Sequence, residues 1–197
     1  MTPEDARFDI DGITSLAINP ASTLAVVGGA SGSLRVVSLS KGEVVGALGG
    51  HTEGDSVEAV QFVDVAGTGA GSGVVVTGGT DGKACVWDLS TMRLRATLEH
   101  QAFILSPIDF LSVLRLGPVF KQDAVTSIVA HPPPKGYLVV SGSADKTLRT
   151  WDARTGTLIR EHKGHQGAIL GVALGLKGDV VVSGGDDGVC LVFTTTV

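Results

Sequence analysis

The stretch "GGTDGKACVWDL" (78–89) decides the fold. It follows an apolar run, "VVVT" at 74–77, passes through an Asp-Gly turn and enters a second run in which apolar and polar residues mix. Two short apolar segments joined in this way read as a β-hairpin, because Gly supplies the positive φ of a tight turn at no steric cost. The same unit stands three more times without gaps, as "GGASGSLRVVSL" (28–39), "GSADKTLRTWDA" (142–153) and "GGDDGVCLVFTT" (184–195). Each copy is preceded by another shared piece, such as "ITSLAINPASTLAVV" (13–27) or "ILGVALGLKGDVVVS" (169–183), so the repeating unit is four strands long.

Composition agrees with an all-β chain. Gly makes up 28 of 197 residues, mean hydropathy is +0.32, and the apolar residues fall in strand-length runs that end in turn residues. A net charge of −5 offers no general basic footprint for a phosphate backbone, so a basic partner is the electrostatic complement and direct nucleic-acid binding is not expected. Cys85 and Cys190 lie inside apolar runs and read as small buried hydrophobes, which points to a reducing compartment: the cytoplasm, with the nucleus as a second location. The beginning "MTPEDARFDIDG" has neither the basic nor the apolar region of a secretory signal.

The copies begin at Gly28, Gly78, Gly142 and Gly184. The last interval matches the ~40–45 residues of one propeller blade, and the first two exceed it. In the first, the excess is "VDVAGTGAGSG" (63–73), which opens into a strand and not a helix; it therefore lacks the helix N-terminus of a phosphate site and reads as a flexible loop. In the second, the excess is "QAFILSPIDFLSVLRLGPVFKQ" (101–122). Asp109 and Arg115 at its centre and Pro107 and Pro118 make it a poor membrane span. Ser106 as cap, Pro107 in the first turn and Gly117-Pro118 as a stop predict a short helix at about 107–116. Two origins are open for the segment, a genuine insertion and translated intron.

Trp87-Asp88, Trp151-Asp152, Gly50-His51 and Gly164-His165 are landmarks of the WD40 β-propeller family, which the chain resembles from Asp11 onward. The resemblance implies four blades, half of a larger ring: blade one at about 11–51, blade two at about 52–100, the insertion at about 101–122, blade three at about 123–165 and blade four at about 166–197. It also implies a buried network of His, Ser or Thr, Asp and Trp in each blade. Blade two has His51, Thr77, Asp81 and Trp87. Blade four has His165, Ser183 and Asp187, with Phe193 in place of Trp. Blade three has Ser141, Asp145 and Trp151, while His100 stands on the far side of the insertion and is expected to reach them only once that segment is removed. Blade one has Val27, Ser31 and Val37 and no His, so apolar packing is expected to hold it. His131, before "PPP", reads as a loop residue.

A recurring His, Ser and Asp invites comparison with a hydrolase triad. The set recurs once per repeat and lacks the G-x-S-x-G elbow that exposes a nucleophile, so no enzyme activity is expected. Nor do the His and Cys residues show a metal-site spacing; no cofactor or metal is expected.

"HTEGDSVEAVQF" (51–62), followed by "WDARTGTLIREHKGHQGAILGVALGLKGDVVVSGGDDGVCLVF" (151–193), resembles more specifically the C-terminal half of one WD40 subfamily. Its members are the fungal dedicated chaperone of a large-subunit ribosomal protein and the animal angio-associated migratory cell protein. That resemblance implies a propeller holding a basic ribosomal protein segment on an acidic end, for which Glu53, Asp55, Asp123 and Asp186 are the partner-binding candidates. A generic WD40 scaffold in signalling or ubiquitin-ligase assembly is the alternative. No fourth strand follows the last copy before Val197, so association through open edges is expected, two chains closing one ring or Ala6–Ile10 supplying the missing strand.

Overall fold

The computed structural model describes residues 10–63, 73–100 and 124–195. Among them are fifteen strands and no helix: β1 (Ile13–Ile18), β2 (Leu24–Gly29), β3 (Leu34–Ser38), β4 (Glu43–Leu48), β5 (Val57–Val63), β6 (Val74–Gly79), β7 (Lys83–Asp88), β8 (Arg93–Glu99), β9 (Val125–Ala130), β10 (Leu138–Ser143), β11 (Leu148–Asp152), β12 (Thr157–His162), β13 (Ile169–Leu174), β14 (Val180–Gly185) and β15 (Cys190–Thr194). They form four antiparallel meanders in chain order, β1 to β4, β5 to β8, β9 to β12, and a three-stranded β13 to β15. Each is a blade.

The turn between second and third strands explains why the hairpin was so legible. Gly32, Gly82 and Gly188 take φ of +80, +75 and +74 there, a region that a Cβ disfavours. Blade three places Lys146 at the same point, with φ of 73. Register slips at matching positions, at Ile13/Ser15, Val57/Ala59 and Ile169/Gly171 on the innermost strands. Such bulges increase local twist.

A blade is apolar on both faces, so it is stable only between neighbours. The innermost strands pack in sequence, β1 against β5, β5 against β9, and β9 against β13. Val26, Leu34 and Val36 of blade one meet Phe62, Val75 and Trp87 of blade two. Val76, Val86 and Leu98 of blade two meet Val125, Ile128 and Trp151 of blade three. Val140 and Leu148 of blade three meet Ile169 and Val181 of blade four. With both faces covered, β6 and β10 are buried along their whole length, which is why they read as unbroken apolar runs and not as alternating ones.

The two cysteines part company. Cys85 is buried, and burial, reinforced by Asp81, pushes its thiol up to about 12. Cys190 is exposed on β15, which corrects the expectation of a buried residue: no further blade covers that face of blade four among the described residues. His131 lies in the loop between β9 and β10 and is nevertheless buried. Residues 64–72, 101–123 and 1–9 lie outside the described residues, and with them Asp123, the predicted helix at 107–116 and all of the proposed closing strand but Ile10. Ile10 itself packs on Ala25, Val27 and Val37 of blade one. No helix among the described residues is long and apolar enough to cross a membrane.

Candidate functional site

In blade two, four side chains form one polarised chain. Trp87 Nε1–H donates to Thr77 Oγ1 at 2.8 Å, and Thr77 donates in turn to His51 Nε2, also at 2.8 Å. His51 Nδ1–H then donates to the Asp81 carboxylate, 3.1 Å from each oxygen. Every group has a partner, and only this tautomer of His51 satisfies them all. The chain also explains the glycine before the histidine: a Cβ at Gly50 would lie 2.5 Å from the Trp87 ring.

Asp81 does more than end the chain. It accepts the backbone N–H of Thr52 at 3.0 Å and that of Lys83 at 3.1 Å. Burial alone would raise its pKa, but the hydrogen bonds from His51, Thr52 and Lys83 outweigh it and bring the group down to about 2. The network therefore pins the start of the loop between β4 and β5, the loop that carries Glu53 and Asp55.

Blade three has the same chain. His100 Nδ1–H donates to Asp145 at 3.2 Å, Ser141 Oγ lies 2.6 Å from His100 Nε2, and Trp151 Nε1–H donates to Ser141 at 2.8 Å. This corrects the expectation that His100 is out of reach. It joins the network with residues 101–122 present in the chain, since separation along a chain does not fix separation in space. Sequence reading also missed Arg149. Its guanidinium donates to the Glu99 carbonyl at 2.9 Å and lies 3.2 Å from both Asp145 and Glu161. A charged residue in the interior of the strand segment "TLRTWD" was the available signal.

Blade four stops one group short. His165 Nδ1–H donates to Asp187 at 3.0 Å and its Nε2 lies 2.8 Å from Ser183 Oγ, but Phe193 has no N–H to continue. Asp187 accepts the backbone N–H of Gln166 and of Val189, and these with His165 hold it at about 2. In blade one, Val27 and Val37 occupy the corresponding places within a small apolar cluster, and Ser31 reaches only Ser33, at 3.5 Å. The hydroxyls of Thr77, Ser141 and Ser183 are all buried, so none is presented to a substrate as a nucleophile is. Among the described residues no group of three His, Cys, Asp or Glu could hold a metal.

The acidic candidates lie at the end of the blades where these networks sit. Glu53 is exposed and Asp55 half-buried, the latter accepting a hydrogen bond from Thr80 in the β6–β7 turn. Gly54 N–H donates to the Ser31 carbonyl, which joins that loop to the β2–β3 turn. Asp186 is exposed in the β14–β15 turn, its N–H held by the Ala168 carbonyl. Glu58, exposed on β5 and hydrogen-bonded by Ser56, adds a third carboxylate to the blade-two side and was not singled out from sequence. Between blades three and four the same end is mixed in charge: Lys146 and Lys163 border the cleft beside His165, and Lys163 pairs with Glu161 at 2.9 Å.

The family described as "WD domain, G-beta repeat" matches residues 42–88, 115–152 and 156–194. An uncharacterized WD repeat-containing protein of Schizosaccharomyces pombe is 30% identical over 199 residues, covering 98% of this chain and 42% of that protein. Human angio-associated migratory cell protein is 28% identical over 194 residues, covering 92% of this chain and 38% of that one. The chain thus spans about two-fifths of the length of these curated relatives. Among solved structures, Chaetomium thermophilum Sqt1 bound to the N-terminus of the ribosomal protein L10 superposes with a TM-score of 0.72 at 27% identity, covering 93% of this chain and 43% of that one. Four antiparallel blades, the buried His–Asp networks and matches over more than half of its length together make this chain a member of the WD40 repeat family, whose propellers are protein-binding scaffolds.

Proposed function

We propose that this chain is a non-enzymatic binding platform that holds a basic segment of a large-subunit ribosomal protein on its acidic end during ribosome assembly. The observation that carries the reading is the group of Glu53, Asp55 and Glu58 on a loop and strand fixed by the Asp81 network. A preorganised cluster attracts a Lys/Arg-rich segment without first having to order itself. The likeness to Sqt1 in its complex with the N-terminus of L10 supports the choice of client. Asp186 extends the acidic set to blade four, Asp123 is a further candidate from the sequence, and the chain's net charge of −5 has the required sign. Such a chaperone would meet newly made ribosomal protein in the cytoplasm and could accompany it to the nucleus.

Affinity capture from cell extract at low and at physiological salt, read by mass spectrometry, tests this against a general scaffold. One dominant basic ribosomal protein, lost as salt rises, is the expected result. A set of signalling or ubiquitin-ligase components would replace the proposal with the scaffold reading.

A further inference from the structure

Blades one and three leave their innermost strands in the same way. Asn19 after β1 and His131 after β9 each donate the backbone N–H to the second strand, at the Leu24 and Leu138 carbonyls. Both side chains are buried. In blade one the Asn19 amide is engaged from both ends: its oxygen accepts the N–H groups of Thr23 and Leu24 at 2.8 and 2.9 Å, and its Nδ2 donates to Thr23 Oγ1 at 2.9 Å. Blade three cannot copy this. His131 is followed by Pro132, Pro133 and Pro134, three residues with no N–H to offer, and its Nε2 has no hydrogen-bond partner although the residue is only 4% exposed. A buried polar atom in that state is costly until something meets it. The ring lines a cleft of about 390 Å³ between the β9–β10 loop of blade three and the β13–β14 turn of blade four. The wall on the blade-four side is fixed. A Cβ on Gly178 would lie 2.9 Å from His131 Nδ1, and Thr195 ties the turn down by donating Oγ1–H to the Gly178 carbonyl and N–H to that of Asp179. Lys135 stands on one side of the cleft and Lys177 with Asp179 on the other, which leaves one net positive charge. Burial, and after it the Lys135 charge, hold the imidazole below its usual range, so at neutral pH the ring is uncharged and carries one N–H.

We propose that this cleft binds the carboxylate of an acidic side chain from a partner protein, which accepts His131 Nε2–H and is held between Lys135 and Lys177. One negative charge matches the net charge of the lining, whereas a phosphate dianion would exceed it while also facing Asp179. The volume falls within the roughly 300–1,000 Å³ of clefts that take up small groups, and the rings of Pro132, Pro133 and Pro134 give the stem of a Glu side chain an apolar wall. The strand order puts this cleft at the end of the blades opposite the acidic loop between β4 and β5. The chain then carries two sites of opposite preference, one for a basic segment and one for an acidic segment. The second is read at the other end of the molecule with a different probe, so it and the ribosomal client can fail independently.

The test is nitrogen NMR of labelled histidine side chains in the full chain, titrated with the blocked tripeptides Ala-Glu-Ala and Ala-Gln-Ala and with inorganic phosphate. His131→Phe keeps a ring and removes both nitrogens, so the signal lost in that variant is assigned to His131. The Glu peptide is expected to move the His131 Nε2 resonance saturably, the Gln peptide to leave it in place, and phosphate to bind more weakly than the Glu peptide. Lys177→Ala, at an exposed position that does not threaten the fold, should weaken the Glu peptide about threefold. His131→Phe should weaken it about tenfold, as read on the Gly178 amide signal. A His131 resonance unmoved by the Glu peptide, an equal response to the Glu and Gln peptides, or affinity indifferent to both variants would overturn the proposal and leave a buried water as the partner of Nε2. Tighter binding of phosphate than of the Glu peptide would overturn the choice of a carboxylate.

Discussion

Blades one and two have the same strand order and nearly the same register, yet blade two is threaded by a four-group hydrogen-bond chain and blade one has valines in the same places. The fold alone therefore does not require the network. What the network adds is visible at its Asp end, where Asp81 holds the N–H of Thr52 and so fixes a loop that bears acidic groups. Polar networks of this kind are stabilising only when complete, because a buried donor or acceptor left alone costs more than the bond is worth.

The comparison breaks most severely by putting blade one's solution into blade two. Thr77→Val keeps the shape but strands the Trp87 N–H and His51 Nε2, and should cost about 2–4 kcal/mol in denaturant unfolding. A cost no larger than that of a surface substitution would mean that blade two is held as blade one is. Next in size is His100→Ala, expected to cost about 2–3 kcal/mol by taking from the buried Ser141 hydroxyl its acceptor and from the Asp145 carboxylate one of its donors. Because His100 is already engaged, the same loss is expected in a chain from which 101–122 have been excised. A loss confined to the excised chain would show that the segment keeps His100 away.

Acid sharpens the same contrast. As pH falls, the unfolded chain takes up protons near pH 4, before the folded Asp81 at about 2, so the stability this group confers is full above about pH 4 and is lost toward pH 2. Its share is about 2 kcal/mol, and thermal melts from pH 6 to 2 should show a shallower fall in Asp81→Asn than in the parent. An unchanged acid limb would remove Asp81 from the account. The smallest effect concerns the turns: Lys146→Gly relieves a left-handed residue where other blades use glycine, and should raise stability by about 1 kcal/mol. Destabilisation would mean that the Lys146 side chain has a role of its own at the cleft beside His165.

The hairpins, the fourfold repeat and the shared polar landmarks were legible in the sequence because they are local: an Asp-Gly turn and its flanking runs announce themselves within a dozen residues. His100 was not, since the distance along the chain from Glu99 to Ala124 says nothing about the distance across the fold. Cys190 misled for a different reason. Its strand has the composition of a core strand, and exposure depends on what lies beyond blade four, which no local pattern encodes. Glu58 was hidden by its place in a strand, where a lone acid among apolar residues does not look like part of a loop-borne surface.

If the networks exist to present an acidic end, charge there should govern binding. Exposed pairs contribute only about 0–1 kcal/mol each, so single replacements of Glu53, Asp55, Asp123 or Asp186 by Lys should act weakly. Anisotropy of a labelled Lys/Arg-rich peptide from the N-terminus of L10, titrated with the chain at increasing salt, is the direct measurement. Affinity should fall steadily with salt in the parent and be abolished when all four residues are changed to Lys. Equal affinity of parent and quadruple variant throughout the salt series would contradict the acidic-end account.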